Sequence, residues 1–157
     1  MNRFTSFFVL LIGCVLTQDA MGQRDSVRLV CPLNEAVVVP PPKNQIHYDQ
    51  EDLCIVLKSV PDSVVKAAGT GRITNIEYND DTKNGVVMYI KLRGKDYYIW
   101  YTGMDKLLVR RNETVKPGQP LGIVNPGGKV ELLLYEFETP VDPIKFFDCP
   151  GVLKQGN

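Results

Sequence analysis

The chain has 157 residues, with 18 Lys and Arg against 18 Asp and Glu, so its formal net charge is zero. That balance excludes the basic surface by which a nucleic-acid binder steers its ligand. The length fits one domain behind a leader, and a chain of this size buries about two thirds of its unfolded surface, enough to fold without a staple.

The N-terminus places Arg3 before an apolar run from Phe7 to Leu16, followed by Ala20-Met21-Gly22. This is the pattern of a secretory signal peptide over residues 1–22, cleaved before Gln23. The run is shorter than the roughly 20 apolar residues of a spanning helix, and no later segment approaches that length. Leu11-Ile12-Gly13-Cys14 also resembles a bacterial lipoprotein box, and membrane attachment is expected only if Cys14 is lipidated. Residues 23–157 are expected to form a single β domain.

From Val27 onward, short β-branched and aromatic runs alternate with turn residues, and no window holds a helical period. Strands are predicted over 27–30, 36–39, 54–57, 64–68, 72–78, 85–92, 96–102, 121–124 and 130–137. Pro40-Pro41-Pro42 to Glu51 reads as an irregular loop, because three successive prolines cannot join a central ladder. Turns are expected at Asn79-Asp80-Asp81, Arg93-Gly94-Lys95-Asp96, Pro117-Gly118 and Asn125-Pro126-Gly127-Gly128, where Pro presets φ and Gly supplies positive φ. The fold class is all-β and mainly antiparallel.

Three cysteines follow the leader: Cys31, Cys54 and Cys149. An odd count allows one disulfide with a leftover thiol, or no disulfide. Cys31 and Cys149 lie near the two ends of the domain and are the candidate pair; three small buried apolar side chains are the alternative.

VVKAAGTGRI (64–73), TVKPGQPLGIV (114–124) and LLLYEFETPVDP (132–143) occur in fixed order. Together they resemble the lysostaphin/LytM-type zinc metallopeptidase domain, whose sequences carry V-x-A-x-x-x-G-x-V, V-x-x-G-Q-x-(I/L)-G and H-L-H-F-E…P-V-D-P. The middle motif alone is shared with lipoyl and biotinyl carrier domains; the three in order are far more specific. The resemblance spans about residues 28–148 and implies a mainly antiparallel hybrid barrel-sandwich. It also implies hydrolysis of peptide cross-links in bacterial cell walls, with one zinc held by His, Asp and His and further histidines as base and transition-state stabiliser.

Carried over residue by residue, that equipment is missing. The H-L-H triplet falls on Leu132-Leu133-Leu134, the first His and its Asp on Asp52 and Val56, and the histidine of Y-A-H-L on Gly103, two residues after Tyr101. The chain contains a single histidine, His47, whereas catalytic zinc takes about three protein ligands. His47 precedes Glu51 by four residues, echoing His-x-x-x-Asp, but reads as a solvated loop residue because the later histidines are still absent.

Asp52, Val56, Tyr101, Gly103, Leu132 and Leu134 are therefore the candidate binding groove, with no catalytic residue, metal ligand or cofactor assigned. Since residues i and i+2 of a strand share a face, Leu132 with Leu134 and Tyr101 with Gly103 are expected to line one apolar cleft. Its expected lid is the loop Pro40 to Asp52, with Ile46 and Tyr48 as plugs.

Other chemistry is thinner. Asp49, Glu51 and Asp52 crowd one loop but face no base, nucleophile or oxyanion donor, so a hydrated acidic loop accounts for them. Asn79-Asp80-Asp81 needs no calcium to make a turn, Lys129 lacks the flanks of a modified carrier lysine, and Cys54 has no base beside it. The sequence thus predicts an exported, non-catalytic LytM-like domain that binds peptidoglycan peptides or a cell-wall hydrolase. The alternative is a zinc cell-wall endopeptidase with unorthodox ligands.

Overall fold

In the segment Lys129–Glu136 three leucines stand in a row, so hydropathy alone does not show which side faces inward. The computed structural model, which describes residues 28–40, 46–47, 50–51, 53–60, 62–78 and 83–150, resolves it. Val130, Leu132 and Leu134 are fully buried, while Glu131, Leu133 and Tyr135 are half-buried on the opposite side. Burying each of the first three contributes about 1.5–3 kcal/mol.

In chain order the strands are β1 (Leu29–Val30), β2 (Ala36–Val39), β3 (Ile46–His47), β4 (Gln50–Glu51), β5 (Cys54–Ser59), β6 (Val64–Lys66), β7 (Gly71–Glu77) and β8 (Asn84–Leu92). They continue with β9 (Lys95–Met104), β10 (Lys106–Leu107), β11 (Thr114–Val115), β12 (Pro120–Ile123), β13 (Lys129–Glu136), β14 (Thr139–Val141) and β15 (Phe147–Asp148). An eight-stranded sheet runs β11-β7-β8-β9-β13-β5-β2, with β14 also paired to β13, and a three-stranded sheet runs β10-β12-β6. These ladders are antiparallel; β1 and β15 pair in parallel. Among the described residues the only helical element is the 3-10 turn Pro143–Lys145, which Asp142 caps by accepting from the Ile144 N–H at 3.0 Å.

The fold is all-β and mainly antiparallel, as expected of a LytM-like domain; among the described residues the sheets do not close into a full barrel. The longer strands fall where periodicity places them. The short β10, β11, β14 and β15 do not show in the sequence, because pairs of residues become strands only through their partners. In the Pro40 to Glu51 segment, expected to be irregular, the short strands β3 and β4 pair antiparallel, Ile46 with Glu51 and His47 with Gln50. The Arg93-Gly94 turn has positive φ at both positions, 50° and 81°, as a two-residue hairpin demands. The leader, Cys14 and the Asn79-Asp80-Asp81 turn lie outside the described residues.

One core fills the space between the large sheet and the small one, drawing Ile55, Met88, Ile99, Tyr101, Leu132 and Leu134 from the first and Val65 and Leu121 from the second. The ends of the domain are stitched over it. Leu29 N–H donates to the Phe146 carbonyl at 2.8 Å, Val30 N–H to the Ala68 carbonyl at 2.9 Å and Lys66 N–H to the Pro32 carbonyl at 2.9 Å. Cys31 and Cys149 form a disulfide across a sequence separation of 118, and Cys54 stands outside that bond.

Candidate functional site

Directly opposed residues of an antiparallel pair project on the same side, so the registers sort the site candidates by face. Leu132 opposes both Tyr101 and Ile55, and Leu134 opposes Ile99. This is the core face, where Leu132, Leu134 and Tyr101 are all 0% exposed. The Tyr101 hydroxyl accepts from the Ala68 N–H at 3.1 Å, so its buried oxygen is satisfied. Burial drives the phenol pKa well upward, which keeps the ring neutral.

Val56 opposes Glu131 on the other face of the same sheet and is itself buried. Gly103 does not share a face with Tyr101, and the physical reason is a β-bulge. Val86 opposes Tyr101 while Asn84 opposes Met104, so β9 advances three residues where β8 advances two. Tyr101 and Met104 both turn inward, leaving Thr102 and Gly103 off the core side. Gly103 takes φ +94°, and a Cβ there would run into the Lys129 carbonyl oxygen.

The expected single cleft is therefore not assembled: three of its positions belong to the core and two to the opposite side. Asp52, the sixth, and most of the expected lid, including the side chains of Ile46 and Tyr48, lie outside the described residues.

The outer face of the large sheet carries what alternation arguments at Leu132 and Leu134 missed. One transverse row runs Arg72, Tyr89, Tyr98, Tyr135, Pro140 across β7, β8, β9, β13 and β14. The next places Trp100 opposite Val87 and Leu133, with Cys54 beyond. A third sets Thr102 against Glu131 and Val56. The available signal was the spacing Tyr98-x-Trp100 and Leu133-x-Tyr135, read in the other phase.

At the edges of this face the polar groups are tied. Tyr89 donates to Asp96 Oδ1 at 2.8 Å, a bond that raises the Tyr89 pKa. In the opposite phase, beside the core residue Tyr97, Glu136 accepts from Lys95 Nζ at 2.6 Å and from Tyr97 Oη at 3.1 Å, and the lysine bond holds its carboxyl below the usual range.

The chain matches the family model of peptidase family M23 over residues 53–144, more than half its length, and so belongs to that family. The fold is shared with the catalytic domain of the prophage-encoded M23 protein EnpA from Enterococcus faecalis, at 16% identity and TM-score 0.55, over 70% of this chain and 90% of that one. It is shared with Csd3 of Helicobacter pylori at 16% identity and TM-score 0.62, over 79% of this chain but only 36% of that one. The catalytic domain of the antimicrobial peptidase lysostaphin from Staphylococcus simulans aligns at 19% identity and TM-score 0.51, over 71% and 88% of the two chains. Such identities carry the fold alone. No curated protein matches the chain significantly by sequence.

The zinc implied by the family resemblance does not fit the candidate positions among the described residues. Of the described candidate positions, Val56, Tyr101, Leu132 and Leu134 offer a metal no carboxylate, imidazole or thiolate, and Gly103 offers no side chain at all. Glu131 supplies one carboxylate on the outer face, but no group of three His, Cys, Asp or Glu able to hold a metal occurs among the described residues.

Proposed function

We propose that this chain is an exported, non-catalytic LytM-like domain that binds peptidoglycan or a cell-wall hydrolase and does not cut the wall. The observation that carries this reading is its single histidine in 157 residues, against a chemistry that uses imidazole both to hold zinc and to move protons. Gly103 adds a second support, because its backbone leaves no room for a side chain where the resemblance aligns another histidine. The Cys31–Cys149 disulfide supports export, since such bonds persist in oxidising compartments.

The test pairs elemental analysis of the purified protein with a turbidity assay on isolated cell walls. The proposal predicts substoichiometric zinc and no clearing. The family's peptidase character favours the rival, a zinc endopeptidase with unorthodox ligands. Stoichiometric zinc with wall clearing, both lost in Asp52→Ala, would establish that rival.

A further inference from the structure

Tyr89, Tyr98 and Tyr135 oppose one another across three neighbouring strands of the outer face, so the row spans about 10 Å at ordinary strand spacing. Trp100 sits beside it. Ring centroids are 5.7 Å apart for Tyr89 and Tyr98, and 6.0 Å apart for Trp100 and Tyr135. All four side chains are half-buried, whereas Tyr97 and Tyr101, in the opposite phase of β9, are core. Four contiguous rings that keep apolar area in water mark a place that something covers.

The composition of the strip selects its occupant. Arg72 at one end and Asp96 beside Tyr89 cancel in charge, so neither a polyanion nor a polycation gains a complementary field. The strip overlies β8, β9 and β13, interior strands whose backbone groups are already paired on both sides, so a peptide cannot be added there as an extra strand. What remains is recognition by ring faces, with the Tyr98 phenol and the Trp100 indole edge as hydrogen-bonding handles, since the Tyr89 hydroxyl already donates to Asp96. That fits a ligand apolar on its flat faces and polar around its rim, which describes a sugar ring.

Resting on the reading that this chain binds the wall polymer, we propose that the strip Tyr89-Tyr98-Tyr135 with Trp100 binds the glycan strand, an N-acetylhexosamine polysaccharide, rather than the stem peptide.

Trp100 is the only tryptophan in the chain, so its fluorescence reports the strip alone. Titration with an N-acetylglucosamine hexamer is expected to change that emission saturably. Tyr98→Ala and Tyr135→Ala are expected to weaken binding of the hexamer, and retention on purified peptidoglycan, at least tenfold with unchanged melting. If either fails to fold, Tyr89→Thr at the end of the row, a good strand former, serves in its place. Absence of any emission change, or unaltered hexamer affinity in the folded variants, would overturn the strip. Retention on peptidoglycan that free stem peptide displaces and the hexamer does not would also overturn it, yet would leave the wall-binding reading standing. A wild-type chain that peptidoglycan does not retain at all would overturn both.

Discussion

Gly103 shows how one residue decides what a site can become. Its φ of +94° belongs to glycine, and its α-hydrogen faces the Lys129 carbonyl. Gly103→Ala is expected to destabilise the fold by at least about 1–3 kcal/mol, the usual strain of a non-glycine residue forced into such a conformation, and thermal melting will show it. Leu132 and Leu134 make the complementary case. Replacing both with Ser removes two fully buried side chains and leaves two unpaired hydroxyls in the core. The expected cost is several kcal/mol, on the order of the whole stability of a small domain, so the double variant should lose its cooperative melting transition. Retention of the wild-type melting temperature would mean that these leucines line a surface after all. That leucines stand where the resemblance would place H-L-H was legible in the sequence; which way they point was not. Leu132-Leu133-Leu134 is apolar at every position, so the period of two that reports facing is invisible there, and a one-residue slip in phase exchanges the faces.

At the scale of elements, the strand periods were legible because β8, β9 and β13 are long and flanked by turns whose residues require particular φ values. The bulge in β9 left one mark, the glycine at 103 inside a strand pattern, but its register and the residues it turns outward show only in the pairing. The entry into β6 depends on Asp62, whose carboxylate accepts from the N–H groups of Asn34 at 2.8 Å and Val64 at 3.1 Å and pairs with Lys66 at 3.4 Å. Burial alone would raise its pKa, but these donors outweigh that and hold it below the ordinary value of 3.8. A depressed carboxylate stabilises the fold above its unfolded pKa, and that contribution is lost as pH falls through the folded one. Asp62→Asn is therefore expected to cost about 1–2 kcal/mol at neutral pH, with the gap to wild type closing under acid conditions below the ordinary carboxylate range. Denaturant melts of both proteins at neutral and acid pH measure this; a gap independent of pH would contradict the assigned role.

Over the whole molecule, the disulfide and the β1–β15 pairing hold together two ends that are far apart in sequence. Closing a loop of 118 residues stabilises by up to about 4–5 kcal/mol in the chain-entropy account, so reduction, or Cys31→Ser with Cys149→Ser, should lower the melting temperature by many degrees. Equal melting with and without reductant would show the bond to be dispensable. The three ordered motifs made the family legible because the φ values that hairpin turns require fix Gly and Pro at a few positions. The single histidine was legible in the sequence, whereas the aromatic face was not, since β9 alternates aromatic residues on both sides and only packing shows which set is core. The most direct test of the account is co-sedimentation of the purified chain with isolated peptidoglycan, with and without a metal chelator, while the turbidity of the suspension is followed. The account predicts that the chain pellets equally in both and that turbidity holds constant; clearing of the suspension that the chelator abolishes would contradict it.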